Sequence, residues 1–231
     1  MRQFILLVFG ILIITNCSSK NDLKKVKGPY LEQTPPGIDA KIFAPGIISS
    51  GMNDRDIALT PDGKEIYFCS FFGNFTHAKI FYIKQKNDGK WTDPEIAPFC
   101  SAAEYVDIEP FISHDGQKLY FMSTRPDIKN GETKGGDQDI WVVDRVGDGW
   151  GEPYNLGEPV SSAMEEYFPS LTKDGTIYFT RQKNGDPVGV IYRSRLVDGQ
   201  YTEPEKLPEQ VNCGTNRFNA FVSADESFVI V

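Results

Sequence analysis

Short β-prone runs recur along the chain, each closed by a glycine turn. Ile66-Tyr67-Phe68, Leu119-Tyr120-Phe121 and Ile177-Tyr178-Phe179 follow Asp62-Gly63, Asp115-Gly116 and Asp174-Gly175. Aromatic and β-branched residues suit strands, and Asp-Gly suits a tight hairpin turn. A fainter copy, FVSADESFVIV (221–231), places Asp225 at the turn. A second set of strand-like runs comes later: KIFYIK (79–84), DIWVVDR (139–145) and VIYRSR (190–195). These end at Asp88-Gly89, Asp148-Gly149 and Asp198-Gly199. An aromatic-x-x-Pro phrase follows each, from Trp91, Trp150 and Tyr201. Its proline suits an outer edge, because it cannot donate to a ladder. Apart from the extreme N-terminus, no apolar 3.6-residue period is long enough for a helix.

The spacing turns these runs into an architecture. The turn aspartates Asp62, Asp115, Asp174 and Asp225 lie 53, 59 and 51 residues apart. From Trp91 to Asp115, from Trp150 to Asp174 and from Tyr201 to Asp225 is 24 residues each time. Four antiparallel strands A, B, C and D, repeating at this period, predict an all-β chain of β-propeller blades. A β-sandwich of irregular hairpins is the alternative, but it has no reason to keep a fixed segment three times over. The A–B and C–D turns, tight in every complete repeat, then share one face of the propeller. The B–C loops, 71–78, 125–138 and 182–188, absorb the length variation on the opposite face. That variable face is where a ligand is expected, since binding residues collect on loops over a rigid frame.

The phrases S-x-D-G-x-x-L-Y-F, D-I-W-V and W-x-x-P resemble the WD-like propeller repeats of the TolB type over roughly residues 40–231. The resemblance implies the propeller fold and a place in the bacterial envelope. It implies little about activity, because many functions share this scaffold. Counting 24 residues back from Asp62 reaches Ile38, so IDAKIFAP (38–45) takes a D-strand position with no A, B or C before it. About three full blades and part of a fourth are therefore expected across 38–231. The segment 38–45 would complete the last blade, and the chain reads as a C-terminally truncated propeller with exposed strand edges.

Charge and the N-terminus narrow the compartment. The net charge is −8, from 24 basic and 32 acidic residues. An acidic chain with no basic stripe argues against nucleic acid. One Arg precedes an apolar run, Phe4–Ile14, too short to span a bilayer and the right size for a signal peptide. Residues 1–16 are expected to be that signal. Cys17 directly after it resembles the lipidated first residue of a bacterial lipoprotein, and 17–37 a flexible tether. The expected setting is a membrane-anchored envelope lipoprotein, periplasmic or surface-facing, held through its lipid. Cys69, Cys100 and Cys213 remain; a Cys100–Cys213 disulfide would join different blades.

The candidate chemistry sits just before strand A. Aligned on the turns, one column is Asp54, Asp107, Glu166 and Arg217, and the next is Asp56, Glu109, Phe168 and Asn219. Together they predict an acidic rim with one arginine, able to take a cation, a sugar or a basic peptide. The plainer reading is that these groups are solvated or hydrogen-bonded within their blades. Arg125 and Lys183, after strand B, either clamp a ligand carboxylate or pair with neighbouring acids. Phe71, Phe72 and Phe75 offer a stacking surface if exposed. His77 lacks a partner at metal-site spacing, and His114 fills a turn position. No catalytic residue, cofactor or metal is assigned. The reading is a binding module for a protein, peptide or glycan, with a carbohydrate-active hydrolase or lyase using rim carboxylates as the alternative.

Overall fold

A computed structural model describes residues 26–73, 77–100, 102–129, 132–135, 137–215 and 217–231. The expected signal peptide, Cys17 and Phe75 lie outside them. The described residues build three four-stranded antiparallel blades and two strands of a fourth unit. Blade 1 comprises β1 (Asn53–Leu59), β2 (Glu65–Phe72), β3 (His77–Lys84) and β4 (Glu95–Ile96). Blade 2 comprises β5 (Asp107–Ile112), β6 (Lys118–Ser123), β9 (Asp139–Val146) and β11 (Tyr154–Asn155). Its long B–C loop forms a hairpin of its own, β7 (Pro126–Lys129) and β8 (Glu132–Gly135). Short β10 (Gly149–Trp150) extends the blade-2 sheet beside β9. Blade 3 comprises β12 (Glu165–Leu171), β13 (Ile177–Gln182), β14 (Val190–Ser194) and β17 (Glu205–Lys206). A small ribbon, β15 (Leu196–Val197) with β16 (Gln200–Tyr201), makes its C–D turn, and β18 (Phe221–Val222) with β19 (Val229–Ile230) begins the fourth unit.

The repeated phrase is a turn lock. Asp62, Asp115, Asp174 and Asp225 each accept a hydrogen bond from a hydroxyl two residues earlier (Thr60, Ser113, Thr172, Ser223). The same carboxylates accept the backbone N–H two residues later, at Lys64, Gln117, Thr176 and Ser227. The next position has positive φ, filled by Gly63, Gly116 and Gly175 and by Glu226 in the fourth unit. Glycine takes that conformation without steric cost, so Asp-Gly recurs for a local reason. These bonds, led by the Thr60, Ser113 and Thr172 hydroxyls, hold the first three aspartates below the ordinary carboxylate pKa.

Alternation along strand B fills the space between blades. Tyr67 and Cys69 face blade 2 and pack in one buried cluster with Leu119 and Phe121. Tyr120 packs with Ile177 and Phe179 between blades 2 and 3, and Tyr178 with Ala220 and Val222 beyond blade 3. Each such aromatic removed from water contributes about 1.5–3 kcal/mol. One expectation needs correction. Strand D does not run through the aromatic-x-x-Pro phrase. The pairing with strand C uses the two residues after the proline, Glu95–Ile96, Tyr154–Asn155 and Glu205–Lys206. The aromatics instead pair at the C–D turn, as in Trp150 with Arg145 and Tyr201 with Leu196. The proline, lacking an N–H, sits at the break between the two short ladders.

Segment 38–45 forms no strand, and Ile38 and Ile42 are exposed. Its register with the repeat still holds. Ala44 packs against Ile66 and Phe68 of blade 1, in the place that Ala97 takes against blade 2 and Leu156 against blade 3. The described part of the expected tether is also packed. Val26 and Leu31 lie on the same face, and Trp91 Nε1–H donates to the Gly28 carbonyl at 2.9 Å.

Candidate ligand-binding face and channel floor

Strand A of every complete blade carries a bulge. Its register against strand B slips between Arg55 and Ala58, between Ile108 and Phe111, and between Tyr167 and Ser170. Inside each slip one residue takes positive φ: Asp56 at 55°, Glu109 at 60° and Phe168 at 54°; Asn219 follows at 59° in the fourth unit. Such bulges bend a strand and re-aim its side chains. At Glu109, Phe168 and Asn219 the backbone N–H points at the preceding blade. Glu109 N–H meets Cys69 Sγ at 3.3 Å, and Asn219 N–H meets Thr180 Oγ1 at 3.1 Å. Met122 occupies the matching position of blade 2 and is a weak acceptor. There the Glu109 carboxylate takes over, accepting Phe168 N–H at 2.7 Å.

The first expected column is buried scaffold. Asp107 and Glu166 are fully buried. Asp107 accepts from Ser123 (2.7 Å), Arg125 (2.6 Å) and Lys79 (2.7 Å). Glu166 accepts from Ser162 and from Arg181 Nε, both at 2.6 Å. Asp54, more exposed, plays the same part with Ser50 and Ser70. The cations continue inward: Arg125 donates to the Phe99 carbonyl, and Arg181 to the Pro159 and Val160 carbonyls. Each carboxylate thus ties a D–A link to the blade that follows it. Arg125 is therefore held on Asp107 rather than presented to a ligand. Arg217, the fourth member, donates to the Gly189 and Gly214 carbonyls.

The second column does reach open space. Asp56 and Glu109 both line a cavity of about 220 Å³ along the inner strands, with Phe111, Phe168 and Phe221. Arg55 stands between them, its Nε 2.7 Å from Asp56 and its Nη2 3.3 Å from Glu109. Burial and the Asp56 charge push the Glu109 pKa up to about 8. Burial likewise raises Asp56. On the loop face above lies a groove of about 430 Å³, lined by Arg55, Phe71, Ile108, Tyr167, Gln182 and Phe218 among others. Arg55 and Phe71 meet in a cation–π contact, 5.5 Å from guanidinium carbon to ring centroid. Arg55, Tyr167, Gln182 and Phe218 were not singled out from sequence; the repeat alignment placed them one residue from the columns or in a B–C loop.

The remaining expectations resolve simply. Phe71 is buried and Phe72 exposed. His114 caps the next blade through the Leu171 carbonyl, 2.9 Å away. Cys69, Cys100 and Cys213 are free thiols, so no disulfide joins Cys100 to Cys213. Among the described residues no three His, Cys, Asp or Glu side chains are placed to hold a metal, and no helix is long and apolar enough to cross a membrane.

No family model and no curated protein matches the chain. Among solved structures it is similar to TolB from Acinetobacter baumannii, 21% identical with a TM-score of 0.49, over 77% of this chain and 37% of that one. It is also similar to a puromycin-hydrolyzing peptidase from Mycobacterium tuberculosis, 11% identical with a TM-score of 0.49, over 74% of this chain and 24% of that one. The chain thus spans well under half the length of either structure.

Proposed function

We propose that this chain is a TolB-like interaction module of the bacterial envelope, held by a lipid on Cys17 and binding a protein, peptide or glycan through its loop face. The observation that carries this reading is the groove beside Arg55. It combines apolar and aromatic walls with the Arg55 guanidinium, the Glu109 carboxylate and the side-chain amides of Gln138, Gln182 and Asn219, on the face where the loops vary in length. Aromatic and apolar walls supply contact area, and convergent polar groups fix the orientation of what binds. The opposite face is built of locked turns whose carboxylates are already engaged.

The test is photo-cross-linking in living cells. A photoreactive residue at Phe218, on the groove, should trap a discrete partner, and the same residue at Lys64, on the turn face, should not. Equal labelling from both faces would sink the assignment. A second reading draws on Asp56 and Glu109, two carboxyl groups of raised pKa around one arginine in the channel. It makes them the acid–base pair of a carbohydrate-active hydrolase or lyase. Cleavage of envelope glycans that disappears in Glu109→Gln would establish it.

A further inference from the structure

The three blades solve one electrostatic problem in different ways, and the difference points to a ligand. At the junction of blades 1 and 2, Lys79 reaches across from strand C. Its ammonium donates to the Ala102 and Tyr105 carbonyls, both at 2.6 Å, and to Asp107 at 2.7 Å. Strand pairing sets Lys79 opposite Ser70 and Asp139 opposite Ser123, so Asp139 stands in the equivalent place between blades 2 and 3. Glu166 there is the counterpart of Asp107, and the 24-residue register puts Ser161 and Met164 where Ala102 and Tyr105 stand. A carboxylate has replaced an ammonium while its acidic neighbour is unchanged in sign.

Asp139 shows the consequence. It is 4% exposed, and its Oδ2 accepts from Asn155 at 2.9 Å, while its Oδ1 is buried with no hydrogen-bond partner. Asp137, two residues earlier, also has a buried Oδ1 without a partner. The segment is fixed against the next blade, because Gln138 accepts Glu166 N–H at 2.7 Å. Asp127 and Glu165 add further negative charge nearby, and Arg181 is committed to Glu166. Burial, with the charges of Asp137, Glu166 and Asp127, pushes the Asp139 pKa up to about 7. A buried carboxylate oxygen without a partner is costly.

We propose that a calcium ion binds between blades 2 and 3, on Asp139 and Asp137, in the position that the Lys79 ammonium holds between blades 1 and 2. An oxygen-only ligand set selects a hard cation. The two carboxylates are completed by backbone carbonyls of the D–A link and by water. The reach agrees: an aspartate with calcium roughly 2.3–2.6 Å beyond its oxygen extends about as far from the strand as a lysine. The ion ties the long B–C hairpin of blade 2 to blade 3.

The test uses the purified chain stripped with chelator. Terbium luminescence sensitised by Trp141 reports binding, and thermal unfolding with and without calcium reports its effect on the fold. Wild type should sensitise terbium, release it to calcium, and gain about 5 °C or more in Tm at a hundredfold excess over Kd. Asp139→Asn should lose both responses. Asp139→Lys should lose them too, yet match calcium-loaded wild type in Tm, because it restores the Lys79 arrangement. A wild type that ignores millimolar calcium overturns the proposal and leaves Asp139 carrying its own proton. So does a calcium response that survives Asp139→Asn.

Discussion

Asp107→Asn tests whether the acidic column is scaffold. The substitution keeps the shape of the side chain and removes one charge from a fully buried site. Lys79 and Arg125, whose side chains are each 11% exposed, would lose their anion. Breaking a buried ion pair from one side costs about 3–5 kcal/mol, because the partner charge stays buried and uncompensated. Two cations share this anion, so the upper end applies. Total stability of such a domain is about 5–15 kcal/mol, and 1 kcal/mol moves Tm by about 2–4 °C at this size. The expected fall in Tm is therefore about 10–20 °C. Urea unfolding followed by tryptophan fluorescence measures it as a lower midpoint at unchanged slope. Adding Lys79→Met to Asp107→Asn should recover part of the loss, since it removes one of the stranded charges. A loss below about 1 kcal/mol would mean that the pair is wet. Asp107 would then again be a candidate ligand group, and the scaffold reading would be refuted.

Three further outcomes follow from the same geometry. Glu109 binds its proton more tightly folded (about 8) than unfolded. The folded state therefore holds the extra proton between the two values, and stability falls as pH rises from about 4.5 to 8. Glu109→Gln should flatten its share of that slope and be the more stable variant at pH 8.5, read from urea midpoints across the range. Asp139 contributes a slope of the same sign, so some dependence persists in the variant. Trp150→Phe removes the Nε1–H bond to Tyr67 (2.6 Å) that joins blade 2 to blade 1, while an aromatic ring stays beside Arg145. It should cost about 1–2 kcal/mol by urea unfolding, and a neutral result would detach this bond from blade packing. Metabolic acyl labelling should mark the wild-type chain and leave Cys17→Ala unlabelled; an unlabelled wild type would remove the lipid anchor.

The strands and their register were readable because their determinants are local. The turn aspartate, its hydroxyl partner and the glycine span four residues, and the alternation of Tyr67 with Phe68 assigns each to one side of the sheet. The 24-residue segment was readable for a related reason: Ala44, Ala97 and Leu156 repeat one packing place. What escaped were interactions between blades. Lys79 and Asp107 lie 28 residues apart and share no motif. The bulge escaped because Asp56, Glu109, Phe168 and Asn219 share a conformation and not a residue type. A column alignment could name Asp107 and Asp56 as neighbours of the rim. It could not tell that the first faces two buried cations and the second a cavity, because strand A kinks between them. The packing of Val26 and Leu31 on Trp91 was hidden by composition, which reads as a tether.

The most direct test of the central claim is the affinity of the cross-linked partner for variants on the two faces. Phe218 is 48% exposed on the groove, so Phe218→Ala leaves the core intact while removing an aromatic contact. Lys64→Glu makes a charge change on the locked turn face. If the loop face binds, Phe218→Ala weakens Kd about tenfold or more, the size expected for an interface aromatic, and Lys64→Glu leaves it unchanged. An unchanged Kd for Phe218→Ala with a weakened Lys64→Glu would place the partner on the turn face and contradict the account.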